Sequence, residues 1–356
     1  MSKTILLMAG GTGGHVFPAL AVADVLRRRG FDVQWLGAEQ GIENRLVPAA
    51  GISLHKLDVR GVRGNGLKRK LGMPLMLIGA ILKARTLIRH LRPVLVVGFG
   101  GFASGPGGLA SRLTGTPLII HEQNARAGLT NRVLARLACR VLEGFSGAFP
   151  GKGVSVGNPV RAEICNLADP EQRYAERTGP VRILVMGGSQ GALALNRDLP
   201  ELLAGYFKGQ SIEVRHQAGK GRISEAAQRW QATWVEANVI EFIEDMAEAY
   251  AWADLVICRA GASTVAEVAA AGVAAVFVPL PTAVDDHQSA NAGWLVDQGA
   301  ARLLPQTQLN EQGLQKALDG LATRDALMSL AGRARRQALP GSAEHVADIC
   351  QEVAHG

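Results

Sequence analysis

The chain has 356 residues, 47% of them hydrophobic, which is enough for two globular domains with substantial cores. Lys and Arg outnumber Asp and Glu by 38 to 31, a formal charge of +7, so the expected partner is anionic: a nucleotide, a phospholipid surface or a nucleic acid. Aromatic residues make up only 5% and none interleave with the basic ones, which sets nucleic acid aside.

The first apolar run, Thr4–Met8, has strand character and stops at Gly10-Gly11-Thr12-Gly13-Gly14. A segment with helical spacing then runs from Val16 to Arg29 and ends at Gly30. Strand, glycine loop and helix together form a phosphate-cradling arrangement, because glycine lets the backbone approach an anion and a helix N-terminus points N–H groups at it. Further strands are expected at Asp32–Leu36, Val94–Val97 and Leu118–His121, with helical patterns between them. The loops that follow, Gly98-Phe99-Gly100-Gly101 and Glu122-Gln123-Asn124, should converge with the first at the C-terminal ends of a parallel sheet. Glu143–Pro159 is rich in Gly and Pro and reads as the approach to a linker.

The second half repeats the alternation. Val181–Met186 leads into Gly187-Gly188-Ser189-Gln190-Gly191, 177 positions after Gly10, and helix from Ala192 onward. Strands are expected at Glu213–Gln217, Val239–Phe242, Leu255–Cys258 and Ala274–Val278, and a last helix at Glu344–Val353 folds back on the first domain. The fold class is therefore α/β, with two Rossmann-like domains. Cys139, Cys165, Cys258 and Cys350 form no Cys-x-x-Cys pair and read as reduced, buried thiols of a cytosolic protein. The chain enters its first strand at once, so no signal peptide is expected. The longest uncharged apolar run, Leu71–Leu82, has 12 residues and is too short to span a bilayer.

Leu71–Arg92 carries two faces at about 100° per residue. Met73, Met76, Leu77, Ala80, Ile81, Ala84, Leu87, Ile88 and Leu91 share the broad face expected to pack on the sheet. Leu75, Ile78 and Leu82 lie opposite, followed by Arg85, Arg89 and Arg92 and preceded by Lys68-Arg69-Lys70. An outward apolar trio ringed by basic residues has the composition of a membrane-surface contact; a helix buried on two sides is the alternative.

Two candidate residues carry double readings. His15 caps its helix or acts as a general base, since the positive helix end disfavours the imidazolium. Glu267 in Thr264-Val265-Ala266-Glu267 closes a capping box or contacts a ligand. No metal is expected: Asp285 and Asp286 sit in a Pro-rich loop, and no two aspartates stand two apart. Gly10–Gly14 is neither a P-loop nor a dinucleotide fingerprint, because no Gly-Lys-Ser/Thr follows and Val16 replaces the third small residue. An oxidoreductase reading retains Glu39, an acid just past the second strand.

Gly10-Gly-Thr-Gly-Gly-His15, Gly98-Phe-Gly-Gly101, His121-Glu-Gln-Asn124, Gly157-Asn-Pro-Val-Arg161, Gly187-Gly-Ser-Gln-Gly191, Arg259-Ala-Gly-Ala-Ser-Thr-Val-Ala-Glu267 and Gln288 occur in the order seen in the MurG family of bacterial glycosyltransferases, which the chain resembles. The resemblance implies a GT-B fold, two Rossmann-like domains facing a central cleft. It implies an acceptor and membrane-associating domain at 1–161 plus 340–356, and a UDP-sugar domain at 162–339. It implies an inverting transfer of N-acetylglucosamine from UDP-N-acetylglucosamine to lipid I, giving lipid II, with no metal or other cofactor. An epimerase of the same fold remains the alternative. By resemblance Ile243 meets the uracil, Ala262, Ser263, Thr264, Val265, Ala266 and Glu267 line the ribose and diphosphate, Ser189 contacts phosphate and Gln288 the sugar. Thr12, Gly13, Gly14, Asn124 and Arg161 serve the donor or the acceptor diphosphate. His15 is the base, assisted by Asn124 or Glu122. The lipid acceptor favours the membrane reading of Leu75, Ile78, Leu82, Arg85 and Arg89, at the cytoplasmic face of the inner membrane. Cell-wall or division proteins are possible further partners.

Overall fold

A computed structural model describes residues 2–59, 67–175, 177–188, 191–281 and 286–355. The chain divides into two compact units, Met1–Arg161 with Gly341–Gly356, and Ala162–Pro340.

The first unit is a seven-stranded sheet. Its strands are β1 (Thr4–Met8), β2 (Asp32–Ala38), β3 (Ser53–Leu57), β4 (Leu95–Gly98), β5 (Leu118–Glu122), β6 (Arg140–Glu143) and β7 (Val154–Ser155). They lie in the order β3-β2-β1-β4-β5-β6-β7, all parallel, with Leu7 between Trp35 and Val97. The central strands are continuous apolar runs because helices cover both faces. β3, β6 and β7 escape the sequence reading for the converse reason: Ser-Leu-His-Lys-Leu, Arg-Val-Leu-Glu and a two-residue strand carry no such run.

The helix Gly13–Arg28 leaves β1 with Thr12 as its N-cap residue and stops before Gly30, which takes φ 86°. Its buried face of Val16, Ala19, Val22, Ala23 and Leu26 packs with Ala343, Val346, Ala347 and Cys350 of the last helix, Ser342–His355. The helix Leu67–Leu91 buries Ala80, Ala84 and Ile88 against the other face of the sheet. Leu77, expected inward, is 39% exposed, because the helix reaches the sheet only from Ala80 onward. The side chains of Met73 and Lys68-Arg69-Lys70 lie outside the described residues. Leu75, Ile78 and Leu82 are 75%, 53% and 54% exposed. Among the described residues no helix is long and apolar enough to cross a membrane.

The second unit repeats the design with β8 (Val181–Met186), β9 (Ile212–Gln217), β10 (Glu236–Ile240), β11 (Leu255–Cys258), β12 (Ala274–Phe277) and β13 (Arg302–Leu303). The order is β10-β9-β8-β11-β12-β13, again all parallel. β10 ends two residues earlier than Val239–Phe242 predicts, leaving Phe242 exposed and turning Ile243 inward.

In both units the strand order reverses beside the first strand, which opens a crevice at the C-terminal strand ends. In the first unit the loops after β1 and β4 touch there through glycines. A Cβ on Gly101, whose φ is 87°, would stand 2.4 Å from the carbonyl oxygen of Gly10. Gly101→Ala should therefore destabilise the first unit by about 2 kcal/mol or more. Calorimetric unfolding checks this, and an unchanged midpoint would show that the two backbones are not in contact.

Candidate active site

Three loops meet at the switch point of the first unit. The loop after β1 is organised by a residue the sequence reading passed over. Glu43 is fully buried; its Oε2 accepts from the Gly11 N–H at 2.9 Å and its Oε1 from the Ala38 N–H at 3.1 Å. The Gly11 amide, expected to serve an external anion, is thus bonded to an internal carboxylate. Thr12, Gly13 and Gly14 remain at the helix start, where the dipole end is positive and no acidic residue occupies the first turn.

His15 sits in the first turn of that helix and does not cap it; Thr12 holds the N-cap position. Its Nδ1 lies 2.9 Å from Gln123 Oε1. Its ring lies against Gly100, where any Cβ would come within 2.9 Å of Cε1 and Nδ1. Arg161 stacks its guanidinium 4.7 Å from the Phe17 ring centroid, and Phe17 packs on Gly13, so these three share one neighbourhood.

Glu122, expected to assist as a base, is committed to building the loop after β5. Its Oε1 accepts from the backbone N–H and side-chain Nδ2 of Asn124, both at 3.0 Å. Its Oε2 accepts from Gly128 N at 3.1 Å and Asn131 Nδ2 at 2.9 Å. Four donors on one buried carboxylate make it a positioning group for Asn124.

In the second unit the helix Ala262–Ala271 follows β11 across the equivalent switch point. Gly261 is its N-cap residue, with no side-chain cap and no acid in the first turn. The capping-box reading of Thr264 and Glu267 fails, because Thr264 already lies inside the helix. Glu267 is 8% exposed and accepts from the Tyr250 hydroxyl at 3.1 Å. Ala262 and Ala266 are small and buried, whereas Ser263 and Thr264 are partly exposed. Val265 is fully buried and its N–H donates to Gly261 O, so neither its side chain nor its amide is available to a ligand. Ile243 is buried in the loop after β10, and Gln288 Oε1 accepts from Leu280 N at 2.9 Å. Ser189, Gln190 and residues 282–285, with Asp285, lie outside the described residues.

The glycine loop after β8 rests on a buried chain of hydrogen bonds. Trp230 Nε1 donates to His216 Nδ1 at 2.9 Å, His216 Nε2 to Asn196 Oδ1 at 3.0 Å, and Asn196 Nδ2 to Ala218 O at 2.9 Å. Ala218 O in turn is the atom that any Cβ on Gly191 would strike, at 2.2 Å.

Residues 5–143 match the glycosyltransferase family 28 N-terminal domain and residues 182–351 the family 28 C-terminal domain. The chain belongs to glycosyltransferase family 28. A relative from Alcanivorax borkumensis, named UDP-N-acetylglucosamine–N-acetylmuramyl-(pentapeptide) pyrophosphoryl-undecaprenol N-acetylglucosamine transferase, is 61% identical over 100% of both chains. A protein of the same name from Neisseria meningitidis serogroup B is 52% identical over 97% of each. The crystal structure of Acinetobacter baumannii MurG aligns with a TM-score of 0.85 at 44% identity, covering 98% of this chain and 99% of that one. A UDP-GlcNAc 2-epimerase from Neisseria meningitidis aligns at a TM-score of 0.67 but only 13% identity, which shows the fold alone. The fold of this family 28 chain is GT-B, two α/β domains each built on a parallel sheet.

Two buried histidines stand behind these loops, His121 on β5 in the first unit and His216 on β9 in the second. Burial holds each pKa at about 4, against an ordinary 6.5, so both are neutral in the folded protein at neutral pH. The unfolded chain therefore binds protons that the folded chain refuses. Stability is full above about pH 6.5 and falls as the pH drops toward 4, by about 2 kcal/mol per ring at pH 5. Denaturant midpoints measured between pH 7.5 and 5, above the carboxylate range, should fall accordingly. A flat profile would mean that the rings are hydrated.

Proposed function

We propose that the chain transfers N-acetylglucosamine from UDP-N-acetylglucosamine to the C4 hydroxyl of the muramyl sugar of lipid I, giving lipid II, with inversion and without a covalent intermediate. The observation that carries this reading is 61% identity across the whole length of a relative named for that transfer. Acceptor activation falls to the first unit and donor recognition to the second. The acceptor hydroxyl gives its proton to His15, its oxygen bonds to the anomeric carbon, and the bond from that carbon to UDP breaks with the electron pair leaving on the β-phosphate. The uncapped start of Ala262–Ala271 suits that developing charge, since a fixed positive dipole end needs no reorganisation during the step.

On the donor side Ile243 meets the uracil through its backbone, Glu267 takes ribose hydroxyls, and Ser189, Ala262, Ser263, Thr264 and Ala266 lie along the ribose and diphosphate. Gln288 contacts the sugar. Thr12, Gly13, Gly14, Asn124 and Arg161 serve the diphosphate of donor or acceptor. An oxidoreductase is disfavoured because the Gly11 amide that a pyrophosphate would use is bonded to Glu43.

The acceptor lipid also gives Leu75, Ile78 and Leu82 a purpose. They stand exposed on the helix that also carries the half-buried Arg85 and the exposed Arg89, a composition that docks onto an anionic membrane, here the cytoplasmic face of the inner membrane.

Calorimetric titration with UDP-N-acetylglucosamine in EDTA, followed by a lipid I analogue with UDP release recorded, tests the transfer. Saturable donor binding and acceptor-dependent release are expected, and His15→Ala should lower kcat by roughly 10²–10⁴-fold. Binding without acceptor-dependent release would leave an epimerase or a binding protein. For the surface, charge reversal at Arg85 and Arg89 should weaken binding to vesicles containing anionic phospholipid, and unaltered binding would move the contact elsewhere.

A further inference from the structure

The carbonyl oxygen of Gly157 can only accept a hydrogen bond, and His121 Nε2 lies 2.9 Å from it. Nε2 of His121 therefore carries hydrogen, and in the neutral ring Nδ1 carries the lone pair. The Gln123 side-chain nitrogen lies 3.0 Å from that Nδ1 and 3.2 Å from the carbonyl oxygen of His121. Both are acceptors, so this end of the amide is the NH₂ group and Oε1 faces the other way. Oε1 meets His15 Nδ1 at 2.9 Å. An amide oxygen only accepts, so His15 Nδ1 carries the hydrogen.

We propose that Gln123 and His121 are positioning residues for the transfer, forming with the Gly157 carbonyl a one-way hydrogen-bond relay that holds His15 in the Nδ1–H tautomer and leaves Nε2 as the proton acceptor. The inference rests on the reading of His15 as base. It goes beyond that reading by naming the nitrogen that reacts and the groups that select it.

Every member of the relay is held. Gln123 is 1% exposed and its backbone oxygen accepts from Asn158 Nδ2 at 3.0 Å. Phe99 stacks on His121 with ring centroids 5.5 Å apart and planes 29° apart. Gly100 closes one face of the His15 ring. The polarity also survives the reaction. Once Nε2 has taken the acceptor's proton, Nδ1 is still a donor, so Gln123 need not turn. An amide oxygen orients the ring without adding a negative charge that would favour the imidazolium before the step. His216 in the second unit shows the same ring differently used. There the Trp230 N–H fixes Nδ1 as the acceptor, and Nε2–H is spent on Asn196, so neither nitrogen is left for chemistry.

The test uses the full-length protein labelled with ring-¹⁵N histidine and long-range proton–nitrogen correlation at pH 8, with His15 assigned by the signals lost in His15→Ala. A protonated Nδ1 and an unprotonated Nε2 are expected for His15. Gln123→Met fills similar volume without an acceptor. It should release this tautomer preference and lower kcat by about 10–100-fold, the range found when the hydrogen-bond partner that orients a metal-bound imidazole is removed, while the KM for UDP-N-acetylglucosamine stays near wild type. A wild-type His15 with hydrogen on Nε2 overturns the proposal, as does Gln123→Met with an unchanged kcat. The wild-type spectrum decides even if the variant does not fold. Failure of the transferase reading shows itself separately, as absent acceptor-dependent UDP release with the tautomer intact.

Discussion

Where Gly101 comes against Gly10, two backbones approach more closely than any side chain would allow. The loop face at the switch point of the first unit depends on that approach. It brings the loop after β4 onto the loop after β1, so that Gly100 becomes the floor for the His15 ring. Ser104 ties the same two loops, its hydroxyl lying 3.1 Å from Met8 O and 2.7 Å from Gly100 O. Residues 85 positions apart in sequence, His15 and Gly100, thereby share one surface. The parallel pairing of β1 with β4 puts the two loops side by side, and the glycines let them close.

A second constraint is the use of buried carboxylates as loop frames. Glu43 gathers Gly11 and Ala38, Glu122 gathers Asn124 and Gly128, and Glu143 gathers Gly147 and Phe149, each through backbone N–H groups. A buried carboxyl group left without these donors would be desolvated with no partner, which is costly. Such loops have one satisfied arrangement, which is what a base needs from its surroundings. The second unit uses a buried carboxylate differently. Asp254 accepts from the Arg182 amide and pairs with Arg177 and Arg324, locking strand starts rather than loops at the crevice.

The parts legible in the sequence were those that advertise themselves by period or by glycine. Buried parallel strands such as Ile5–Met8 and Val181–Met186 are apolar runs, and each glycine loop marks a place where backbone must approach backbone. Helical spacing put Leu75, Ile78 and Leu82 on the face away from the sheet, and the structure leaves that face exposed. What stayed hidden were residues whose meaning lies in a distant partner. Nothing near Glu43 in the chain announces that it reaches Gly11, and Gln123 between Glu122 and Asn124 looks like one polar residue among several. The box at Thr264 failed for a related reason: a spacing of three fits many helical positions, and only the path of the chain through Gly261 shows where the helix begins. Val265 was drawn into the site by its neighbours in sequence, although a helix turns every fourth side chain inward.

The two units share a strand order and differ in what they do with it. In the proposed mechanism the first contributes a side chain, His15, from the helix beyond the glycine loop, with its tautomer set by Gln123. In the second, the helix beyond β11 contributes its bare end, and Ala262 and Ala266 keep side-chain bulk out of the way. Removing a proton from a hydroxyl requires a directional lone pair, hence a ring clamped by hydrogen bonds of fixed polarity. Accepting charge on a departing phosphate requires a diffuse positive field, which a helix start with no acid in its first turn supplies. A single inherited architecture meets both needs because the crevice at a switch point is made of loops and helix ends. Those are the parts of the fold that can change without disturbing the sheet.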